Sequence, residues 1–198
     1  MTEKLIKELC TEKLENYNGA DRIEFCDRLD VGGLTPKPQS LKNIEIPVFV
    51  IIRNRAGDFE FTTEDKKEML ESVRAWNDEA DGFVIGSLKN GEIDTDFIKE
   101  IQKITNKPLT FHMAFDETND KLKAIDELAN LQIKRILTKG GNSPAPNNIP
   151  KLREYNDYAA GRIIIMPGSG VTGACARSLA EKTGLSELHG TKILKGAL

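Results

Sequence analysis

The chain has 198 residues, of which 39% are hydrophobic and 30% are charged. This length and apolar fraction suit one folded domain and exclude an intrinsically disordered chain. Its 28 Lys and Arg nearly balance its 31 Asp and Glu, giving a net charge of −3, so the composition indicates no nucleic-acid partner. The apolar run at residues 48–52 is far shorter than a membrane span.

The cysteines and the first residues of the chain indicate the cellular compartment in which the protein is expected. Cys10, Cys26 and Cys175 are odd in number and irregularly spaced, which argues against a disulfide framework. Residues 1–4 lead into alternating charge with no apolar signal region. We therefore expect a reduced, cytoplasmic protein that has no membrane span.

Short apolar or β-branched segments recur along the chain, each followed by turn residues. The eight segments begin at Leu5, Arg22, Val48, Gly82, Pro108, Lys134, Arg162 and Ser186. Their successive starts lie 17 to 34 residues apart. A strand, a helix and two loops need about this many residues, so the spacing predicts repeated βα units.

Helical periodicity is visible between most of these segments. It follows Thr62, Asp94, Asn119 and Val171. Thr62 and Asp65 resemble a capping box, and Gly184 predicts the end of the last helix. Residues 13–18 and 38–43 leave room only for minimal helices.

The pattern as a whole predicts an α/β fold in one domain over residues 1–198, because no linker or low-complexity tract interrupts it. Eight strands that alternate with helices predict a compact TIM-like (β/α)8 barrel with an abbreviated first unit. An open doubly wound sheet is the alternative.

Strand alternation predicts which side chains face the barrel interior. The apolar residues Leu9, Ile23, Phe25, Leu109, Phe111, Met113 and Leu188 are expected to face the helices. Their neighbours Glu8, Cys10, Arg22, Glu24, Cys26, Thr110, His112, Glu187 and His189 are then expected inside, with Arg53 on the face of Phe49 and Ile51. Burying ionised groups costs several kcal/mol each unless they are paired. The polar interior therefore indicates a functional site or, alternatively, a structural network with Arg53 between Glu8 and Glu24.

Two of the inward residues are thiols on neighbouring strands. Adjacent parallel strands lie about 4.8 Å apart, so Cys10 and Cys26 are expected to approach closely enough to share one soft ion. Two thiolates suit Cu(I), with His112 as a further donor, whereas Zn(II) would need two more ligands such as His112 and His189. The alternative is that both thiols only pack the core, as we expect for Cys175.

A glycine turn after the seventh strand predicts an anion site. Gly168, Ser169 and Gly170 precede a helix, and barrels often bind phosphate at this position. Together with Arg53 and Arg55 they predict a site for a small phosphorylated or carboxylated ligand. The alternative is that a short βα loop simply requires glycine.

His112 and Asp116 form a candidate acid–base pair. His112 ends the fifth predicted strand, and Asp116 follows four residues later in the loop. With Glu24 they would be the catalytic residues of an enzyme. The alternative is a hydrogen-bonded interior histidine beside an aspartate that caps the next turn.

Several segments together resemble one family, the CutC copper homeostasis proteins. They are ADRIEFC (20–26), VGGLTP (31–36), IIRNRAGDFEFT (51–62), TFHMAFDE (110–117), RILTKGG (135–141), GSGVT (168–172) and ELHGTKI (187–193). They run in family order over nearly the whole chain.

The resemblance implies a TIM-type barrel, a cytoplasmic location and a homo-oligomer, often a dimer. It also implies a role in copper tolerance through Cu(I) binding, with Cys10 and Cys26 as ligands. We therefore expect a copper homeostasis protein that binds Cu(I) at the barrel mouth. Two alternatives remain: a barrel enzyme that acts on a small anionic substrate, and a scaffold whose polar interior only fixes the packing.

Overall fold

The computed structural model describes residues 4–196. The strands are Ile6–Thr11 (β1), Arg22–Phe25 (β2), Val48–Ile51 (β3), Gly82–Ile85 (β4), Leu88–Lys89 (β5), Glu92–Ile93 (β6), Leu109–Phe111 (β7), Arg135–Thr138 (β8), Ile164–Pro167 (β9) and Glu187–Gly190 (β10). The α-helices are Thr63–Trp76 (α1), Thr95–Gln102 (α2), Lys121–Asn130 (α3), Ile149–Ala159 (α4) and Gly173–Thr183 (α5). Short 3₁₀ helices span Leu29–Val31, Met113–Glu117 and Ala145–Asn147.

Eight parallel strands form a nearly closed barrel. They pair in the order β10-β1-β2-β3-β4-β7-β8-β9, and β9 lies beside β10 where the two edges meet. The strands β5 and β6 form a small antiparallel hairpin outside this sheet. Each of the eight predicted segments supplies one barrel strand, which confirms the TIM-like fold and excludes the open sheet.

The first two βα units have no α-helix in the described part of the chain. Residues 13–18 and 38–43, where minimal helices were expected, form bends, turns and irregular backbone. A single 3₁₀ turn, Leu29–Val31, follows β2. None of the helices described is long and apolar enough to cross a bilayer.

The alternation of side chains separates an outer core from an inner one. Outward residues such as Ile23 and Phe25 join the large core under the helices, where the Phe25 ring lies edge-on to fully buried Trp76 at 5.9 Å. Inward residues, Phe49 and both strand-end thiols among them, form a separate small cluster inside the barrel. The predicted faces of β1, β2 and β3 are therefore correct.

The capping box predicted at the start of α1 is present. Asp65 N–H donates to the Thr62 hydroxyl at 3.1 Å, and Thr62 N–H donates to the Asp65 carboxylate at 3.0 Å. We expect Thr62→Ala to lower the free energy of unfolding by about 1 kcal/mol, because the N-cap acceptor is lost. Urea unfolding measures this change, and Thr63→Ala is the matched control; equal effects of the two substitutions would contradict the capping role.

Candidate functional site

A buried ion-pair network fills the part of the barrel interior that lies away from the mouth. Arg22 donates through Nε to Glu8 and through Nη2 to Glu187 Oε2 at 2.6 Å. Arg135 Nε donates to the same Glu187 oxygen at 2.6 Å. Both guanidinium groups lie over the Phe49 ring, at 5.2 and 5.3 Å from its centroid. The buried charges are thus paired, as a low-dielectric interior requires.

The network differs from the one that the sequence predicted. Arg22, rather than Arg53, lies between two glutamates, because Arg22 is directly beside Glu8 in the β1–β2 register. Arg53 lies beyond the last residue of β3 and so reaches the mouth of the barrel instead. Sequence reasoning missed Arg135, although the alternation of β8 was the signal that could have found it.

A second layer joins Glu8 to His189 and Glu24. His189 Nδ1 lies 2.9 Å from Glu8 Oε1 and 3.9 Å from Glu24 Oε2. Burial opposes ionisation of Glu8, but Arg22 and His189 outweigh it and lower its pKa to about 2. Burial also lowers the pKa of His189, but Glu24 and Glu8 outweigh it, so the net pKa is raised. For Glu24, burial prevails and raises the pKa.

The two strand-end thiols meet above this layer. Cys10 Sγ and Cys26 Sγ are 3.7 Å apart, and both thiols are free and buried. Cys10 Sγ donates to Glu24 Oε1 at 3.3 Å, and Cys26 Sγ contacts the Thr11 carbonyl at 3.6 Å. The hydrogen bond with Cys26, burial and the Glu24 carboxylate raise the pKa of Cys10 well above its usual value. Cys10 is thus held as a neutral thiol.

Two further donors lie beside the Cys10 thiol. Cys10, Glu24 and His189 each offer a ligand atom within 4.8 Å of the others. Cys175 lies elsewhere: its Sγ accepts from Thr172 N–H at 3.2 Å at the start of α5. Cys175 is thus the third residue of α5, in a capping box with Thr172. It is half-buried and packs against the outer core, so the predicted core placement is confirmed in part.

His112 lies on the opposite wall of the barrel. Its strand, β7, is four strands from β1 in either direction around the sheet, so His112 does not join the Cys10 group. Its Nδ1 accepts from Ala114 N–H at 3.1 Å, and its ring packs 4.8 Å from that of Phe59. Burial, with a smaller contribution from the Arg53 charge, lowers the pKa of His112 to about 3.

The expected acid–base pair of His112 and Asp116 does not form. Asp116 lies in the 3₁₀ helix after β7, which turns its carboxylate toward β8. There it accepts from the Thr138 hydroxyl and, at 2.9 Å, from Lys139 N–H. Burial raises the pKa of Asp116. It is therefore neither the partner of His112 nor a cap of the next α-helix.

A cavity of about 470 Å³ opens at the barrel mouth. Cys10 lies on one side of it and His112 on the other. Of the predicted site residues, it is lined by Cys10, Glu24, Arg53, His112, Ser169 and Gly170. Met113 also lines it, because β7 ends at Phe111 and the alternation that predicted an outward Met113 ends there.

The two arginines after β3 are placed differently. Arg53 is buried at the cavity, where its Nη atoms donate to the carbonyls of Val31, Gly33 and Gly57 at 3.0, 3.2 and 2.9 Å. Arg55 points away and is held by Asp58 at 2.9 Å and Asp65 at 3.1 Å. Arg55 is not among the cavity residues, so it does not serve the ligand site predicted for it.

The glycine turn after β9 also lies only partly at the cavity. Ser169 and Gly170 line the cavity with positive φ angles of 69° and 72°. Gly168 does not line it; a Cβ atom there would lie 2.6 Å from Leu137 and 3.2 Å from His189. Gly168 is therefore required by packing inside the barrel.

The chain has only two histidines, so their ionisation is directly measurable. We expect NMR titration to show His112 neutral from pH 8 to pH 5, since its pKa is about 3, and His189 titrating above its usual value of 6.5. Below pH 6.5 the unfolded chain protonates His112 and the folded chain does not, so this group lowers stability as the pH falls. His189→Gln assigns the two signals, and a His112 transition near pH 6.5 would contradict the buried placement.

The sequence of this chain is similar to those of known proteins. It matches the CutC family over residues 5–194. It is 36% identical to the human copper homeostasis protein cutC homolog over 93% of this chain and 72% of that one. It is also 36% identical to a CutC family protein of Enterococcus faecalis, over 96% of this chain and all of that one.

Solved structures agree with the sequence match. A crystal structure of CutC from Streptococcus agalactiae superposes with a TM-score of 0.90 at 35% identity, over 96% of this chain and 100% of the other. An aldolase, QR15, at 15% identity and a TM-score of 0.67 over 96% of this chain and 90% of that one, shares only the barrel fold. With its barrel, its motifs and its relatives all in agreement, the chain belongs to the CutC family.

Proposed function

We propose that this protein binds one Cu(I) ion between Cys10 Sγ and Cys26 Sγ. The observation that carries the proposal is the 3.7 Å separation of the two sulfurs. Metal–sulfur bonds of about 2.3 Å place two sulfurs on one ion no more than about 4.6 Å apart. The thiols are thus spaced to share an ion without movement of the strands.

The donor set favours Cu(I) over other metals. Cu(I) is soft, prefers thiolates and needs few ligands, whereas Zn(II) takes four. His189 and Glu24 lie within 4.8 Å of the Cys10 sulfur and are the further donors or charge partners in this proposal. They replace His112, which lies across the barrel.

The name of the human relative supports copper as the ion, because that relative is called a copper homeostasis protein. We extend that role to this chain and place it in the cytoplasm, where thiols stay reduced. A homodimer is the assembly that this proposal adopts from the family resemblance.

Titration of the reduced protein with Cu(I), buffered by a competing Cu(I) chelator, tests the proposal. We expect one Cu(I) for each chain and the same stoichiometry in Cys175→Ser, because Cys175 lies at α5. A stoichiometry of zero, or a loss of binding in Cys175→Ser, would overturn the assignment.

A further inference from the structure

The described residues include one buried arginine without a carboxylate partner. Arg22 and Arg135 each form an ion pair with a glutamate at 4.0 Å or less, and Arg53 forms none with any residue between 4 and 196. Only 5% of Arg53 is exposed, and its buried Nε has no hydrogen-bond partner there. Glu117, which is exposed, acts on its charge only at longer range. A buried cation is costly unless an anion compensates it.

His112 presents a second buried donor without a partner. Because its Nδ1 accepts from Ala114 N–H, the neutral ring carries its proton on Nε2. This Nε2 is buried and has no partner within the described part of the chain. Arg53 and His112 both flank the Phe59 ring, at 5.0 and 4.8 Å from its centroid, and both line the cavity. This side of the cavity thus holds two N–H donors that lack a hydrogen-bond partner, and one positive charge that lacks a paired carboxylate, among the described residues.

The cavity next to these donors is larger than a metal site requires. Its volume of about 470 Å³ lies in the range of small-molecule sites. Leu29, Ile51, Phe59 and Met113 give much of its lining an apolar character. A ligand that fits it has one polar, negatively charged end and a body that tolerates apolar contact.

We propose that this cavity binds a small organic carboxylate, with the carboxylate held by Arg53 Nε–H and His112 Nε2–H. A carboxylate brings one negative charge and two acceptor oxygens, which match one unpaired cation and two unpaired donors. A phosphate dianion would carry a second charge, whereas Arg53 is the one buried arginine or lysine on the cavity lining among the described residues; Lys192, which also lines it, is exposed to solvent. The donors differ from those of the copper proposal, although Cys10 and Glu24 line another part of the same cavity.

Titration of the unmodified protein with acetate, acetamide and inorganic phosphate at constant ionic strength tests this inference. The readout is the His112 imidazole signal in the NMR spectrum, assigned with His189→Gln. We expect saturable shifts with acetate at millimolar concentrations and none with acetamide, because the amide has the same shape without the charge. Equal responses to acetate and acetamide, or no response to acetate, would overturn the proposal, and stronger binding of phosphate would overturn its carboxylate part.

Substitutions then locate the site. Arg53→Gln is expected to weaken acetate binding at least about tenfold, which is the scale of a lost charge-assisted hydrogen bond. Arg55→Gln is the matched control, since Arg55 is paired with Asp58 and Asp65 outside the cavity. Equal weakening by both variants would contradict the assignment. If Arg53→Gln does not fold, the acetate and acetamide titrations of the unmodified chain decide the matter.

Discussion

Replacing both Cys10 and Cys26 by serine is expected to lower the Cu(I) affinity by at least about 100-fold. Loss of an outer-shell partner of a metal ligand costs about 10–100-fold, and the double variant removes both ligands themselves. Serine keeps the size of the side chain but offers a hard oxygen, which Cu(I) binds poorly. Competition against a chelator of known affinity measures the change under reducing conditions.

Single substitutions test whether both thiols are needed for Cu(I) binding. Because the two sulfurs lie 3.7 Å apart and share one ion in the proposal, Cys10→Ser and Cys26→Ser are each expected to lose most of the binding. Cys175→Ser is the matched control, and circular dichroism shows whether each variant keeps its fold. Unchanged affinity in the folded double variant would place the copper site elsewhere.

Substitution of Arg22 by methionine is expected to lower the free energy of unfolding by about 3–5 kcal/mol. Arg22 bridges Glu8 and Glu187 inside the barrel, and its side chain is 7% exposed. Methionine fills a similar volume but leaves the Glu8 carboxylate without its main counter-charge. Urea unfolding followed by circular dichroism measures the loss.

Two controls separate this charge effect from a packing effect. Arg28→Met removes an arginine that pairs with Asp30 on the surface, so a change within about 0.5 kcal/mol is expected. Adding Glu8→Gln to Arg22→Met is expected to recover part of the stability, because it removes the uncompensated charge. Equal losses in Arg22→Met and Arg28→Met would show that the interior network contributes little.

The barrel and the facing of its first strands could be predicted from the sequence. The period of two in β1 and β2 is a local property of extended backbone, so it placed Glu8, Cys10, Glu24 and Cys26 inside. The register of the neighbouring parallel strands pairs Cys10 with Glu24, and Cys26 lies two residues further along the same face, beside the Cys10 thiol. The spacing of the βα units was sufficient to indicate eight of them.

The residues beyond the strand ends could not be placed in the same way. Alternation stops where a strand stops, so the paths of Arg55, Met113 and Asp116 depend on turns that the period of two does not describe. A 3₁₀ helix turned Asp116 toward β8 and away from His112. Arg55 instead pairs with Asp58 in the preceding loop and with Asp65 at the start of α1.

Which side chains lie close together across the barrel could be determined only from the order of strands in the closed sheet. The sequence placed His112 near the thiols because both were expected at the same end of the barrel. Counting strands around the closed sheet puts β7 opposite β1 and puts β10, which carries His189, beside it. The order of strands thus decides which histidine accompanies Cys10.

A crystal structure of the Cu(I)-loaded protein, with anomalous scattering recorded at the copper edge, tests the shared-ion site most directly. The predicted result is one copper peak for each chain, within bonding distance of both Cys10 Sγ and Cys26 Sγ. A fully loaded protein whose copper peak lies away from these two sulfurs would contradict it.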